Sequence, residues 1–127
     1  MSFEVKVYKG STLSEGAALC LDARLFVPGW TLRPTLLTMR DRKGAHPGQI
    51  ALGFKNDVPV ALVLYDGNML MAFCKKFERY QGFASRCFQA LDLEPGSWAG
   101  EGIQGTLVFW NKQGVHAIPR DHGKYRY

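Results

Sequence analysis

The sequence predicts an α+β fold: one mixed, mostly antiparallel sheet with helices packed on both faces. Three observations carry this. Apolar residues alternate with period two at the N-terminus, recur at helical spacing over residues 13–43, and return in strand-like runs from residue 50. The 127 residues suit a single domain spanning 1–127. Hydrophobic residues make up 46% and charged residues 21%, which supports a packed core and excludes a disordered chain.

Phe3, Val5 and Val7 alternate with Glu4, Lys6 and Tyr8, a half-buried strand that Gly10 ends. Thr12 with Glu15 three residues later forms a capping-box pattern, and Ser11 offers a second cap. Leu13, Ala17, Cys20, Leu21 and Leu25 then share one helical face, and the helix stops at "VPGW" (27–30). A second helix is predicted over 32–43, with Leu32, Leu36 and Met39 or Arg40 as its stripe and Gly44 as its stop. "IALGFK" (50–55), "VALVLY" (60–65) and "MLMAFCKK" (69–76) form a three-stranded meander, turned by "NDVP" and "DGN". Its middle run is almost wholly apolar and reads as a central strand. A third helix is predicted over 82–92, with Phe83, Cys87 and Leu91 inward and Phe88 as a further candidate for that face. "EPGSWAGEG" (94–102) reads as a loop, "TLVFW" (106–110) as a further strand, and "VHAI" (115–118) as a last strand at the sheet edge. The predicted order along the chain is β-α-α-β-β-β-α-β(-β).

Cys20, Cys74 and Cys87 lie in apolar stretches without metal-ligand spacing, which predicts reduced thiols in a cytoplasmic protein and no metal site. No apolar run approaches the ~20 residues that span a bilayer, and the N-terminus carries no apolar leader, so no membrane partner is expected. The net charge of +5 points to an anionic partner. Trp30, Trp98 and Trp110 together with the basic residues raise a nucleic-acid reading, since aromatics can stack on bases. The basic residues fall in three loose clusters at 40–43, 75–79 and 120–126, so only scattered aromatics and net charge support that reading.

The junction "KKFERYQGFASR" (75–86) is more specific, because it joins a predicted strand to a predicted helix. A helix N-terminus presents unpaired N–H groups and the positive end of its dipole. A tight turn aims those groups at one anion, and phosphate is the anion most often held this way. Gly82 lets the backbone approach the ligand, and Ala84 keeps the first helical turn open. Gln81, Gly82, Phe83, Ala84 and Ser85 would supply N–H groups, with Lys75, Lys76, Arg79 and Arg86 adding positive charge around them.

"RYQGFA" (79–84) fits the pattern Arg/Gln-x-x-Gly-x-Gly/Ala. It resembles the acyl-CoA pyrophosphate loop of the GCN5-related N-acetyltransferase (GNAT) superfamily, in which the loop joins the fourth strand to the third helix. The element order from residue 3 to about 110 matches as well. The resemblance implies a GNAT-like fold and transfer of an acetyl group from acetyl-CoA, or another acyl-CoA, to a primary amine of a small molecule or protein. It implies that Gln81, Gly82, Phe83, Ala84 and Ser85 cradle the pyrophosphate, with Arg79 opening the loop. It implies that Phe73, Cys74 and Lys75 bond the pantetheine arm through the main chain, where this strand and the next splay apart. Residues 27–31 would border the acceptor site. The short C-terminal half resembles pared-down members, such as those encoded by bacteriophages, whose target would be a host protein.

The sequence leaves the family pattern after Asn111. The family usually follows its fifth strand with an Asn and then a helix carrying a tyrosine that protonates the leaving thiolate. "KQGVHAIPRDHG" contains glycine and proline, and no tyrosine falls at the usual spacing. Asn111, His116 and Tyr125 are the candidate catalytic residues, while Glu78, Glu101, His46 and His122 are further candidate bases and Tyr127 a further candidate acid. The missing tyrosine also fits an alternative, a GNAT-like protein without catalysis that binds and modulates a host protein.

Overall fold

Alternation along the strands sorts the apolar side chains onto the two faces of one sheet. The computed structural model describes residues 2–42, 44–93, 99–102 and 106–119. Six strands follow one another in the sheet in chain order: β1 (Phe3–Lys9), β2 (Gln49–Lys55), β3 (Val58–Tyr65), β4 (Met69–Cys74), β5 (Ala99–Gly102) and β6 (Ala117–Pro119). The first four pair antiparallel, while β4–β5 and β5–β6 are parallel. Helices α1 (Leu13–Asp22) and α2 (Leu32–Asp41) cover one face; α3 (Phe83–Ala90) and α4 (Leu107–Lys112) cover the other.

Tyr8, Ile50, Leu52, Leu62, Leu64 and Met71 pack with Ala17, Cys20, Leu36 and Met39 of α1 and α2. Ala51, Ala61, Val63 and Leu70 point the other way, toward Phe83 and Cys87 of α3 and Trp110 of α4. β3 is covered on both faces, and its residues Val60 through Leu64 are all buried, as a continuous apolar run requires. Asn56 and Asp57 both take positive φ (50° and 67°), the geometry of a two-residue turn matched to strand twist.

The end of α1 is closed by a Schellman motif. Arg24 takes φ 56°, its N–H donates to the Leu21 carbonyl (3.0 Å), and the Leu25 N–H donates to the Cys20 carbonyl (3.0 Å). Leu25 is thereby buried in the core although it lies beyond the helix. At the other end the expected capping box is replaced. The Thr12 hydroxyl bonds the Lys9 N–H (3.1 Å) and the Lys9 carbonyl (3.0 Å), closing a short 3-10 turn over Gly10–Thr12.

The predicted meander and the first three helices are present, with α3 ending at Ala90 and α2 at Asp41. Two predicted elements are corrected. Residues 106–110 do not form a strand; Leu107–Lys112 is helix α4. The strand lies upstream, at Ala99–Gly102, inside the segment that reads as a loop. A five-residue apolar run fits a buried strand and a buried helix equally. Trp110 decides the case: it is fully buried beneath β5, with Phe88 meeting it edge-on at 6.1 Å. Gly100 makes room for it, because a Cβ there would fall 2.4 Å from the indole ring. The glycines that suggest a loop are what let β5 lie over a tryptophan. The last strand is β6, at Ala117–Pro119, shifted two residues from the predicted 115–118, with Val115 buried just before it. It is an edge strand as predicted.

Gly100→Ala should lower unfolding stability by roughly 1–3 kcal/mol, the usual cost of overpacking. Urea denaturation monitored by tryptophan fluorescence measures it; an unchanged midpoint would show that Trp110 does not pack under β5.

A candidate acyl-donor groove

β4 and β5 pair at two positions only, Met69 with Ala99 and Leu70 with Gly100. Beyond them β4 continues to Cys74 beside β3, while Glu101 and Gly102 pair with Ile118 and Pro119 of β6. The two parallel strands therefore separate. A groove of about 750 Å³ starts at the end of β4, beyond those two pairs. Its walls come from the end of β4 (Met71, Ala72, Phe73, Cys74), the start of α3 (Gly82 to Ser85), α4 (Thr106, Val108, Phe109, Lys112) and the α1–α2 side (Val27, Trp30, Leu32).

The hydrogen-bond phase of β4 shows which main-chain groups face the gap. Asp66 N–H donates to the Met69 carbonyl (3.1 Å) and Lys75 N–H to the Val60 carbonyl (2.9 Å). Bonded positions in an antiparallel ladder recur every second residue. The main-chain groups of Met71, Phe73 and Lys75 thus turn toward β3, and those of Ala72 and Cys74 turn toward the edge that β5 leaves. The Cys74 carbonyl is taken there by Arg79, whose Nε donates at 3.0 Å.

Gly82 is the N-cap of α3, with φ 79° and ψ 9°. That left-handed conformation suits glycine. A Cβ built on Gly82 meets nothing within 4 Å, so the backbone there is open to the groove. No side chain caps α3. The Arg86 N–H makes the bond to the Gly82 carbonyl (3.1 Å) that starts the helix, and the first-turn N–H groups of Phe83, Ala84 and Ser85 precede it. Ser85 Oγ accepts from Gln113 Nε2 (2.8 Å), which ties this turn to the end of α4.

Of the sequence-predicted donor-site residues, Phe73, Cys74, Arg79, Gly82, Phe83, Ala84 and Ser85 all line the groove. Lys75 and Gln81 do not line it. Arg86 turns back to β1: its guanidinium lies 4.7 Å over the Phe3 ring and donates to the Phe3 carbonyl (3.2 Å). Glu78 lines the groove but is held by Lys55 in a half-buried ion pair at 2.8 Å. Val27 and Trp30, from the region expected to border the acceptor site, line this groove.

The candidate catalytic residues are not brought together. Asn111 does not end a strand: it is an exposed residue in the last turn of α4, and its carbonyl accepts from Gly114 N–H (3.1 Å). The His116 side chain is exposed and does not line the groove. His46 lies beside a separate hollow of about 140 Å³, where its Nδ1 accepts from Gly48 N–H (2.8 Å) and burial lowers its pKa. Tyr125, Tyr127, His122 and Trp98 lie outside the described residues, as does the Glu101 side chain. Sequence reasoning missed Val108, Phe109 and Lys112. Read at helical spacing, Val108 and Lys112 are i and i+4 on one face, a signal present in the sequence. Among the described residues no cluster of His, Cys, Asp or Glu could hold a metal ion, and no helix is long and apolar enough to cross a membrane.

Solved structures match the chain over its whole length, two of them as follows. A possible acetyltransferase from Clostridium difficile superposes with a TM-score of 0.53 at 14% identity, covering 100% of this chain and 97% of that one. An aminoglycoside N-acetyltransferase, AAC(6')-Iy, in complex with CoA superposes with a TM-score of 0.52 at 9% identity and the same coverage. No protein-family model and no curated sequence matches the chain. The chain has the GNAT fold of these acetyltransferases.

Burial pushes the Cys74 thiol from its ordinary 9.0 up to about 11, and burial pushes Cys20 and Cys87 to about 12. A raised folded pKa means stability that is complete below the unfolded value and lost as pH rises through the folded one. Urea midpoints should therefore fall between pH 9 and 12, and the fall between pH 9 and 11 should be shallower in Cys74→Ala. Parallel profiles for the two proteins would show that the thiol is freely ionised in the folded state.

Proposed function

We propose that the protein is an acyltransferase that moves an acetyl group from acetyl-CoA, or another acyl-CoA, to a primary amine of a small molecule or protein. One observation carries the reading: the gap between β4 and β5 opens directly onto the uncapped N-terminus of α3, with Gly82 left-handed at the junction. The superposed CoA complex supports it at the level of the fold.

Each part of the donor has a counterpart in the groove. The first-turn N–H groups of α3 and the dipole behind them suit a pyrophosphate, and Arg79 and Lys112 add positive charge on the groove walls. The main-chain groups of Ala72 and the N–H of Cys74, whose carbonyl Arg79 takes, suit an extended amide-bearing arm at the open edge of β4, as an added strand would be bonded. This differs from the expected set Phe73, Cys74 and Lys75, because Lys75 N–H is committed to Val60. An N–H at the same edge would polarise the thioester carbonyl. The amine nitrogen then forms its bond to the carbonyl carbon, the C–S bond breaks, and the proton lost by the amine ends on the thiol of free CoA. Val27, Trp30 and Leu32 would border the acceptor.

A second reading, binding of a host protein without catalysis, is favoured by the positions of Asn111 and His116 away from the groove. Turnover separates the two. Titration calorimetry should show acetyl-CoA binding that Gly82→Glu weakens by roughly tenfold or more, since it sets a carboxylate where the phosphates belong. Circular dichroism should show that the variant remains folded. Release of free thiol from acetyl-CoA with an amine panel should follow. Absence of acetyl-CoA binding by the parent protein would remove both the donor site and the enzyme reading; binding without thiol release favours the second.

A further inference from the structure

Tyr80 combines two features that packing does not explain. Its backbone takes φ 66°, a left-handed conformation unfavourable for a residue with a Cβ. Its side chain is as exposed as a side chain can be, at 102% of the reference area. Such strain persists only where the surrounding structure imposes it and it clusters at ligand sites, and here the ring contributes no burial to the fold. Tyr80 also lines the groove, two residues before Gly82. The strain therefore holds an aromatic ring at the mouth of a ligand groove, beside the turn that would hold a pyrophosphate. Two residues of chain span at most about 7 Å, so the ring lies within a nucleoside's reach of that turn. Its surroundings suit a nucleotide, with Arg79 on the groove wall and exposed Lys76 on the same loop.

We infer that the Tyr80 ring is the platform on which the adenine of the acyl-CoA stacks. This rests on the acyl-CoA reading above and adds a residue to it. Base–aromatic stacking needs only a free ring face, which a fully exposed tyrosine supplies. The left-handed backbone at residue 80 sets the direction in which that face is presented. The hydroxyl is not required, so phenylalanine should serve.

The test compares two donors by calorimetry: acetyl-CoA, and S-acetyl-4′-phosphopantetheine, which lacks the adenosine. Tyr80→Asn should weaken acetyl-CoA binding roughly tenfold, the scale of one lost base stack, and leave the truncated donor unchanged. Tyr80→Phe should keep wild-type affinity for both. Asparagine tolerates left-handed φ, so Tyr80→Asn should also raise the melting temperature. A residue kept for packing would lower it. Equal weakening for the two donors, or none for either, overturns the inference while leaving the acyl-CoA reading in place. Failure of the wild-type protein to bind either donor overturns both.

Discussion

The parallel ladder between β4 and β5 holds at two positions and then opens, and the groove exists because it opens. β4 remains bonded to β3 as far as Cys74, while β5 turns to β6 from Gly100 onward. Trp110 fixes β5 over α4, because its fully buried indole fits only against a residue without a Cβ. A buried tryptophan of this kind is worth about 3–5 kcal/mol relative to alanine, far more than the single ladder bonds that would close the gap. The same helix then supplies Val108, Phe109 and Lys112 as the wall opposite α3.

The groove is lined mainly by apolar side chains, and much of the polar capacity at its ends is backbone. The main-chain groups of Ala72, the Cys74 N–H and the first-turn N–H groups of α3 are set by backbone geometry, while the Cys74 carbonyl is held by Arg79. A site made this way tolerates sequence change provided that the turn into α3 keeps its shape. The positions that do constrain the sequence are conformational: Gly82 at φ 79°, and Gly100 beneath the tryptophan.

Much of this architecture is legible in the sequence. Period-two alternation in Phe3, Val5 and Val7 and the uninterrupted "VALVLY" identify the antiparallel part of the sheet, because alternation and double-sided burial are local patterns. The position of Gly82 at the entry to α3 is equally readable, since a strand followed by a glycine turn and an amphipathic run has one simple geometry. The exchange of strand and helix near residue 100 is not readable. "TLVFW" carries no period long enough to choose, and the glycines of β5 resemble loop residues until the tryptophan beneath them is known.

The sequence by itself determined the α+β class, the meander, the first three helices and the glycine turn into α3, because each depends on residues close together in the chain. Only the tertiary structure decided where the sheet splits, which β4 amides face the split, and that Asn111 and His116 stand apart from it. Those outcomes depend on contacts between residues far apart, such as Trp110 with Gly100 and Ser85 with Gln113, which no local pattern encodes.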